Sequence, residues 1–161
     1  MAATSLILDD IDTRLLEHLQ VDADQTLREL GDQAGLSSSA VQRRIQRYKS
    51  SGLLRTVAVI DPQRVPALTQ ALVVLTLVEE STDHHRDLAQ RLLTHSSVQQ
   101  VYALSGRWDY AILVSAPSVC DLRDLNNELF KNDPNIRRYD TMFILDAVET
   151  GTTLPTALLS S

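Results

Sequence analysis

The sequence predicts an α+β protein built from a helix-turn-helix (winged-helix-like) domain, a linking strand and a ferredoxin-like domain. Before residue 54, apolar residues recur at helical spacing in three short segments. After residue 69, runs of aliphatic and β-branched residues alternate with helical segments in the order β-α-β-β-α-β. Pro62 and Pro66 interrupt the chain between the two patterns. We therefore expect domains at residues 1–54 and 69–161, with a linking strand and linker at 55–68.

The composition allows one domain of ordinary size or two small ones. The chain has 161 residues, 43% of them hydrophobic, and contains no run of about 18 apolar residues that could span a membrane. Its first ten residues have no basic start and turn acidic, which is unlike a signal peptide. Cys120 is the single cysteine, which excludes an internal disulfide and suits a reducing compartment. We expect a cytoplasmic protein with no membrane partner.

Positive charge is concentrated on one segment of an acidic chain. The formal net charge is −6, yet residues 37–55 hold five basic residues and no acidic one. Residues 61–161, by contrast, hold eight basic and thirteen acidic residues. This distribution favours a small DNA-binding unit attached to a domain with another role.

Two short helices are predicted at the start of the first domain. Asp9 or Asp10 can cap the first, which runs from Ile11 to about Gln20 with a stripe of isoleucine and leucine. Thr26 and Glu29 have the spacing of a capping box, in which each side chain accepts a hydrogen bond from the other's free backbone N–H. The second helix therefore begins at this pair.

The third predicted helix has an apolar back and a basic front. Ser37 or Ser38 can cap its start, and Gly52 can end it in the left-handed conformation. Val41, Ile45 and Tyr48 share one face. Arginine can donate two hydrogen bonds to guanine and glutamine can pair with adenine, so the front suits a DNA major groove. The candidate DNA-binding residues are Ser37, Ser38, Ser39, Gln42, Arg43, Arg44, Gln46 and Arg47. The alternative is a solvated amphipathic helix with a basic face.

Four strands and two helices are predicted in the second domain. The strands cover residues 70–79, 98–104, 109–115 and 136 to about 149. Ser81 can cap a helix with Leu88, Leu92 and Leu93 facing inward, and Ser118 begins a helix with an inward stripe of Leu122, Leu125, Leu129 and Phe130. Residues 151–155 have no periodicity that places them.

Four segments match the motifs of one known family. They are Leu8-Asp-Asp-Ile-Asp12, the Ser- and Arg-rich segment from Leu36 to Gly52, the loop Ser105-Gly-Arg-Trp-Asp-Tyr110 and the tail Thr152-Thr-Leu-Pro155. Their order and spacing resemble the leucine-responsive regulator/AsnC (Lrp/AsnC) family of bacterial and archaeal transcription factors, over about residues 8–155. The sequence departs from the family pattern at Ser38 and Ala40, where proline is common, and at Trp108, where tyrosine is usual.

The resemblance implies that the second domain is a RAM (regulation of amino acid metabolism) domain, which binds an amino acid or related small molecule between neighbouring dimers. Gly106 lets backbone N–H groups approach a ligand, Arg107 suits a carboxylate and Asp109 suits an ammonium group. The implied effector-binding residues are Tyr102, Leu104, Gly106, Arg107, Trp108, Asp109 and Thr141. The resemblance also implies homodimers that often assemble into rings of eight chains. An ordinary β-hairpin loop is the alternative.

No catalytic, metal or cofactor site is predicted. His84 and His85 are adjacent, so a helix would point them about 100° apart, and no phosphate-binding or nucleophile motif is present. We expect a non-enzymatic, sequence-specific DNA-binding transcriptional regulator whose oligomeric state or DNA affinity responds to an amino acid or related small metabolite. The alternative is a small-molecule-binding ferredoxin-like metabolic protein or enzyme with a helical appendage.

Overall fold

The computed structural model describes residues 6–148, 150–151 and 153–159, and it divides the chain into two compact units. One unit, the helical unit, contains the chain up to Val59 together with the tail from Thr150 onward. The other, the sheet unit, is Ile60–Glu149. We expected the tail in the second domain, and the structure instead groups it with the helical unit because it packs on the first helix.

Three helices form the helical unit: α1 (Asp10–Val21), α2 (Leu27–Ala34) and α3 (Ser38–Ser50). Each begins at a side-chain cap, as predicted. At α2 the Thr26 hydroxyl accepts the Glu29 N–H, and the Glu29 carboxylate accepts the Thr26 N–H. At α3 the Ser37 hydroxyl accepts the Ala40 N–H. Gly52, with a φ of 77°, lies just beyond α3 in the left-handed conformation that ends a helix. The three predicted helices are confirmed.

A small apolar core holds these helices together. Its buried residues are Leu15, Leu16, Leu19, Leu30, Ala34, Val41 and Tyr48. The turn between α2 and α3 passes so close to Gly31 that a Cβ there would lie 2.5 Å from the Leu36 carbonyl oxygen. The Leu36 N–H also donates a hydrogen bond to the Gly31 carbonyl oxygen at 2.8 Å. The tight turn before α3 therefore depends on a glycine within α2.

The predicted linking strand is extended but unpaired within the single chain. Residues 53–60 are extended but form no strand, and Val57, Val59 and Ile60 are exposed. A strand needs a neighbour to accept and donate its backbone hydrogen bonds, and no part of the chain that the structure describes pairs with this segment. The β-branched composition therefore predicted extended backbone, and the pairing of this segment as a strand stays a prediction.

The sheet unit has the predicted ferredoxin-like order. Its elements are β1 (Thr69–Leu77), α4 (Thr82–Thr94), β2 (Val98–Ala103), β3 (Tyr110–Ala116), α5 (Val119–Asn126) and β4 (Ile136–Phe143). The strands form one antiparallel sheet in the order β2-β3-β1-β4. A wider helical turn at Asn127–Lys131 extends α5. The βαββαβ prediction is confirmed.

Both helices of the sheet unit pack on one face of the sheet. That face contributes Ala71, Val73, Leu75, Leu77, Tyr110, Ile112, Val114 and Ala116 to the core. Leu88 and Leu92 of α4 lie against it as predicted, but Leu93 is 74% exposed because it is one residue, about 100°, around the helix from that stripe. The opposite face, here called the helix-free face, carries the alternate residues of each strand.

The last strand is shorter than predicted. It ends at Phe143, which pairs with Ala71, and the Ile144 N–H still donates to the Gln70 carbonyl oxygen. Since β1 begins at Thr69, the described residues beyond Ile144 have no partner strand. Glu149, the expected end of this strand, lies outside the described residues.

The tail packs on the helical unit. The Leu154 N–H donates to the Gln20 side-chain oxygen at 2.7 Å, and the Gln20 amide donates to the Leu154 carbonyl oxygen at 3.2 Å. The Thr156 hydroxyl donates to the Glu17 carboxylate, and Leu159 contacts the helical core. Thr152, the first residue of the predicted tail motif, lies outside the described residues. None of the helices in the described ranges is long and apolar enough to cross a membrane.

Candidate functional site

The outer face of α3 presents the polar residues that the sequence selected. The side chains of Ser37, Ser38, Ser39, Gln42, Arg43, Gln46 and Arg47 are all exposed. Ser37 also caps the helix and lies 3.1 Å, hydroxyl to hydroxyl, from Ser39. Arg43 makes no hydrogen bond or ion pair with any residue that the structure describes, so its guanidinium group is free for a ligand.

Arg44 differs from the other candidates because it is held inside the helical unit. Its guanidinium group forms an ion pair with Asp9 at 2.9 Å and a second with Asp12, and its side chain is only 21% exposed. These two carboxylates raise the pKa of Arg44 further above its ordinary value. Arg44 is therefore paired with Asp12 in α1 and with Asp9 at the cap of α1. This pairing was not predicted from the sequence.

Asp12 lies at the centre of this arrangement. Its side chain is 1% exposed, and its carboxylate accepts hydrogen bonds from the Tyr48 hydroxyl, Arg44, Arg47 at 2.5 Å and the Asp9 N–H at 3.0 Å. Burial alone would raise the pKa of Asp12, but these hydrogen bonds outweigh burial and lower the pKa to about 2. Asp12 is therefore ionised in the folded protein at neutral pH.

The sequence contained one signal for this buried acid. Asp12 precedes Leu15 and Leu16 by three and four residues, so it shares the inward face of α1 with them. An acid on an apolar stripe, in a domain with an arginine-rich helix, indicates a buried ion pair. In the sequence alone, Asp12 stands out only as the last residue of the Leu8–Asp12 motif.

The loop between β2 and β3 holds most of the candidate effector residues. Gly106 has a φ of 140°, a conformation that glycine adopts without strain. The Leu104 N–H donates to the Asp109 carbonyl oxygen at 2.8 Å, which closes the hairpin. Leu104 is 44% exposed and Arg107 is exposed. The loop is thus a tight turn with outward-facing side chains, which fits both the effector hypothesis and the simple hairpin.

Trp108 is flanked by two arginines. The guanidinium carbons of Arg107 and Arg138 lie 5.4 Å and 5.1 Å from the centre of its ring. Arg138 also forms an ion pair with Asp140 at 2.7 Å, whereas Arg107 forms none with the described residues. The indole is therefore half-buried between cationic groups, so it does not present a purely apolar surface to a ligand.

Asp109 has a structural role within the sheet. One of its carboxylate oxygens accepts the Leu77 N–H at 2.6 Å, and its own N–H donates to the Leu75 carbonyl oxygen at 2.9 Å. The pairing of β1 with β4 shifts register between Thr76 and Leu77, so Asp109 satisfies a backbone donor at that irregularity. Its other carboxylate oxygen has no described hydrogen bond and can accept one from a ligand.

Tyr102 and Thr141 lie on opposite faces of the sheet. Tyr102 pairs with Ala111, which alternates with core residues of β3, so Tyr102 is on the helix-free face. Thr141 pairs with the core residue Val73, so it is on the face that the helices cover. One chain therefore does not bring all of the candidate effector residues together around one ligand.

Thr141 has a polar neighbour that the sequence analysis missed. The Asn126 amide donates to the Thr141 hydroxyl at 3.0 Å, and Asn126 is 6% exposed. The Asn126 side-chain oxygen is buried without a hydrogen-bond partner among the described residues. A separate polar pair joins His85 Nδ1 to the Tyr110 hydroxyl at 2.6 Å. Nothing in the local sequence distinguished Asn126 from the polar residues around it.

No metal site is found in the ranges that the structure covers. No group of three or more histidine, cysteine, aspartate or glutamate side chains there is arranged to hold an ion. His84 and His85 accordingly do not form part of such a group, and Cys120 is a free, exposed thiol.

Comparisons with known proteins identify both units. The AsnC-type helix-turn-helix domain matches residues 8–49, and the Lrp/AsnC ligand binding domain matches residues 70–154. The chain is 35% identical to the HTH-type transcriptional regulator LrpA of Mycobacterium tuberculosis, over 85% of this chain and 90% of that protein. It is 28% identical to a glutamate uptake regulatory protein of Zymomonas mobilis, over 92% of this chain and 90% of that protein.

Solved structures agree with this assignment at the level of the fold. A transcriptional regulator from Neisseria meningitidis, solved in complex with L-Met, superposes with a TM-score of 0.84 at 24% identity, covering 94% of this chain and 99% of that chain. The match includes both the helix-turn-helix and the sheet domain. The chain therefore belongs to the Lrp/AsnC family of DNA-binding transcriptional regulators and carries both its helix-turn-helix and its ligand-binding domain.

Proposed function

We propose that this protein regulates transcription by binding specific double-stranded DNA as a homo-oligomer, with its DNA affinity or assembly controlled by an amino acid or related metabolite. The observation that carries the proposal is the exposed, acid-free face of α3 on a helix-turn-helix unit. The protein acts by binding, without a catalytic step, and it works in the cytoplasm, where its DNA is.

The DNA-binding surface is the outer face of α3. The candidate residues on this helix are Ser37, Ser38, Ser39, Gln42, Arg43, Arg44, Gln46 and Arg47. Of the three arginines, Arg43 carries a free guanidinium group, whereas Arg44 and Arg47 are paired with acids of the helical unit. A helix of this kind enters the major groove, where its polar side chains contact base edges and phosphates. A dimer would then bind a roughly palindromic site with half-sites about 10 base pairs apart.

Two exposed apolar surfaces support assembly into a homodimer or a larger ring. The helix-free face of the sheet exposes Tyr102 and Met142, which are 51% and 46% exposed. The extended segment 53–60 exposes Val59 and Ile60 and pairs with no strand among the described residues. Surfaces of both kinds are normally buried against a second element, and a second copy of the chain supplies one.

The effector site is made by more than one chain. The proposed contacts are Tyr102, Leu104, Gly106, Arg107, Trp108, Asp109 and Thr141. Because Tyr102 and Thr141 lie on opposite faces of one sheet, a ligand between neighbouring copies would contact them from different chains. The amino acids in the names of two relatives, L-Met and glutamate, favour an amino-acid effector for this protein also.

The experiment that tests the proposal is a titration of labelled duplex DNA with the full chain, followed by fluorescence anisotropy at several salt concentrations. We expect affinity to fall steeply as salt rises, because phosphate contacts release counterions. Arg43→Ala should weaken binding by about 1–3 kcal/mol and relax one base preference if Arg43 contacts a guanine. A flat salt response from folded protein would instead favour a metabolic protein with a helical appendage.

The effector half of the proposal is tested with the single tryptophan. A panel of amino acids is titrated while Trp108 emission is followed, and the responding ligand is then added to the DNA titration. Arg107→Gln should weaken the response, while Arg123→Gln, an exposed arginine on α5, should leave it unchanged. No response across the panel would contradict an amino-acid effector that binds at this loop.

A further inference from the structure

Four positive side chains lie on α3, but the structure does not leave all of them available to DNA. Arg43 and Lys49 are exposed and make no described ion pair, whereas Arg44 and Arg47 both contact the buried carboxylate of Asp12. The positive charge that α3 can offer to phosphates is therefore about half of what its sequence suggests.

Arg44 is fully engaged within the helical unit. Its guanidinium group donates two hydrogen bonds to Asp9, at 2.9 Å and 3.0 Å, and one to Asp12. Asp9 is the cap of α1, so these contacts also connect the start of α1 to α3. Moving Arg44 to a phosphate would leave the buried Asp12 carboxylate with one fewer donor, which is costly in a site without water access.

Arg47 is held more loosely. One of its nitrogens donates to Asp12 at 2.5 Å, its guanidinium carbon lies 5.6 Å from the centre of the Tyr48 ring, and its side chain is 42% exposed. It can therefore be released to solvent if the charge on Asp12 is removed. Arg43 needs no such release, because it has no partner among the described residues.

We propose that Asp12 is a positioning residue for DNA recognition: it keeps Arg44 and Arg47 paired within the protein and leaves Arg43 as the arginine of α3 that contacts DNA. This inference rests on the proposed DNA-binding function. Its physical consequence is that Asp12 limits non-specific attraction to phosphates, so that binding depends on the residues that can also read bases.

The first test compares two arginines of the same helix. Arg43→Gln and Arg47→Gln each remove one formal charge from an exposed side chain. With a random-sequence duplex of about 30 base pairs, Arg43→Gln should reduce the slope of log affinity against log salt by ~0.9 per chain. Arg47→Gln should change that slope by less than ~0.3, because its charge is already balanced by Asp12. Equal losses in both variants would overturn the proposal.

The second test removes the charge on Asp12. Asp12→Asn should steepen the salt slope by ~0.9 per chain and tighten binding to the random duplex, because Arg47 is released. Asp10→Asn is the matched control, since Asp10 is an exposed acid in the same helical turn and forms no described ion pair. A merely structural role for Asp12 could weaken binding but would not steepen the slope. An unchanged slope in folded Asp12→Asn protein would overturn the proposal.

The wild-type titration separates failure of this inference from failure of the proposed function. If wild-type protein shows no salt-dependent binding to any duplex, DNA binding itself is excluded. If wild-type protein binds and Arg47→Gln behaves like Arg43→Gln, only the role of Asp12 is excluded. Circular dichroism checks folding, and if Asp12→Asn does not fold, the comparison of the two arginine variants decides.

Discussion

Asp12 is a buried charge that the fold supports with four donors. Burial opposes ionisation, and the hydrogen bonds from Tyr48, Asp9, Arg44 and Arg47 more than compensate, so its pKa falls to about 2. Burial raises the pKa of Tyr48, and its hydrogen bond to the Asp12 carboxylate raises that pKa further. The charge of Asp12 is thus part of the folded state of the helical unit.

The low pKa of Asp12 predicts a specific loss of stability in acid. In the unfolded chain an aspartate has a pKa of about 3.9, so below that pH the unfolded state binds a proton that the folded state does not. Asp12 therefore stabilises the helical unit above about pH 4, and this stabilisation disappears as the pH falls toward 2. The loss amounts to about 2 kcal/mol. Urea unfolding followed by NMR methyl signals of Leu15 and Val41 measures it.

Asp12→Asn is the informative variant for this prediction. It should be less stable than wild type at pH 6. Between pH 5 and pH 2 the wild-type protein should lose about 2 kcal/mol more stability than the variant, because the variant has no carboxyl group at position 12 to protonate. Asp10→Asn, which removes an exposed acid, should follow the wild-type curve. Parallel curves for wild type and Asp12→Asn would show that the pKa of Asp12 is not lowered by folding.

At the level of elements, the turn between α2 and α3 is held at one point by close backbone contact. A methyl group on Gly31 would meet the Leu36 carbonyl oxygen, which is backbone and cannot swing away as a side chain can. Alanine is favoured over glycine in a helix by up to about 1 kcal/mol, but the clash acts in the opposite direction and is larger. The geometry of the helix-turn-helix is therefore set in part by the absence of a side chain.

Gly31→Ala should lower the free energy of unfolding of the helical unit by about 1–2 kcal/mol. Overpacking costs about 1–3 kcal/mol, and the higher helix propensity of alanine offsets part of that cost. Thermal unfolding, followed by the same methyl signals, checks this. Gln33→Ala, an exposed position on the same helix, should change stability by less than about 0.5 kcal/mol. An equal or greater stability in Gly31→Ala would mean that the turn relaxes without cost.

Local patterns predicted the elements whose determinants are local. The capping box of Thr26 and Glu29, the cap at Ser37 and the stripe of Val41 and Tyr48 each depend on residues within one helix, and each was found where expected. The β-α-β-β-α-β order was predicted in the same way, because the apolar residues within each strand or helix recur with the spacing typical of that element.

Determinants that are distant in sequence were not predicted. The pairing of Arg44 with Asp9 joins residues 35 positions apart, and the hydrogen bond of Asn126 to Thr141 joins a helix to a strand. Residues 53–60 are extended without a partner strand in the single chain, because pairing depends on a neighbour, which periodicity does not contain. The loop from Ser105 to Asp109 was located correctly, but the roles of its residues in effector binding stay a prediction.

At the scale of the whole molecule, the chain passes twice between the two compact units. It leaves the helical unit after Val59 and returns to it at Thr150. The second passage ends in the tail, where Gln20 binds the backbone of Leu154 and Leu159 reaches the helical core. The tail therefore supplies part of the packing of a domain that begins about 140 residues earlier.

Two neighbouring leucines of the tail allow this contribution to be measured. Leu159 packs against the helical core, whereas Leu158 is 71% exposed. Leu159→Ala should destabilise the helical unit by about 1–2 kcal/mol, less than the cost at a fully buried leucine because Leu159 is only half-buried. Leu158→Ala should change stability by less than about 0.5 kcal/mol. The methyl signals of Leu15 and Val41 report this unit, and Trp108 emission reports the sheet unit, which should be unaffected by either change. Equal effects of the two substitutions would mean that the tail lies on the helical unit without stabilising it.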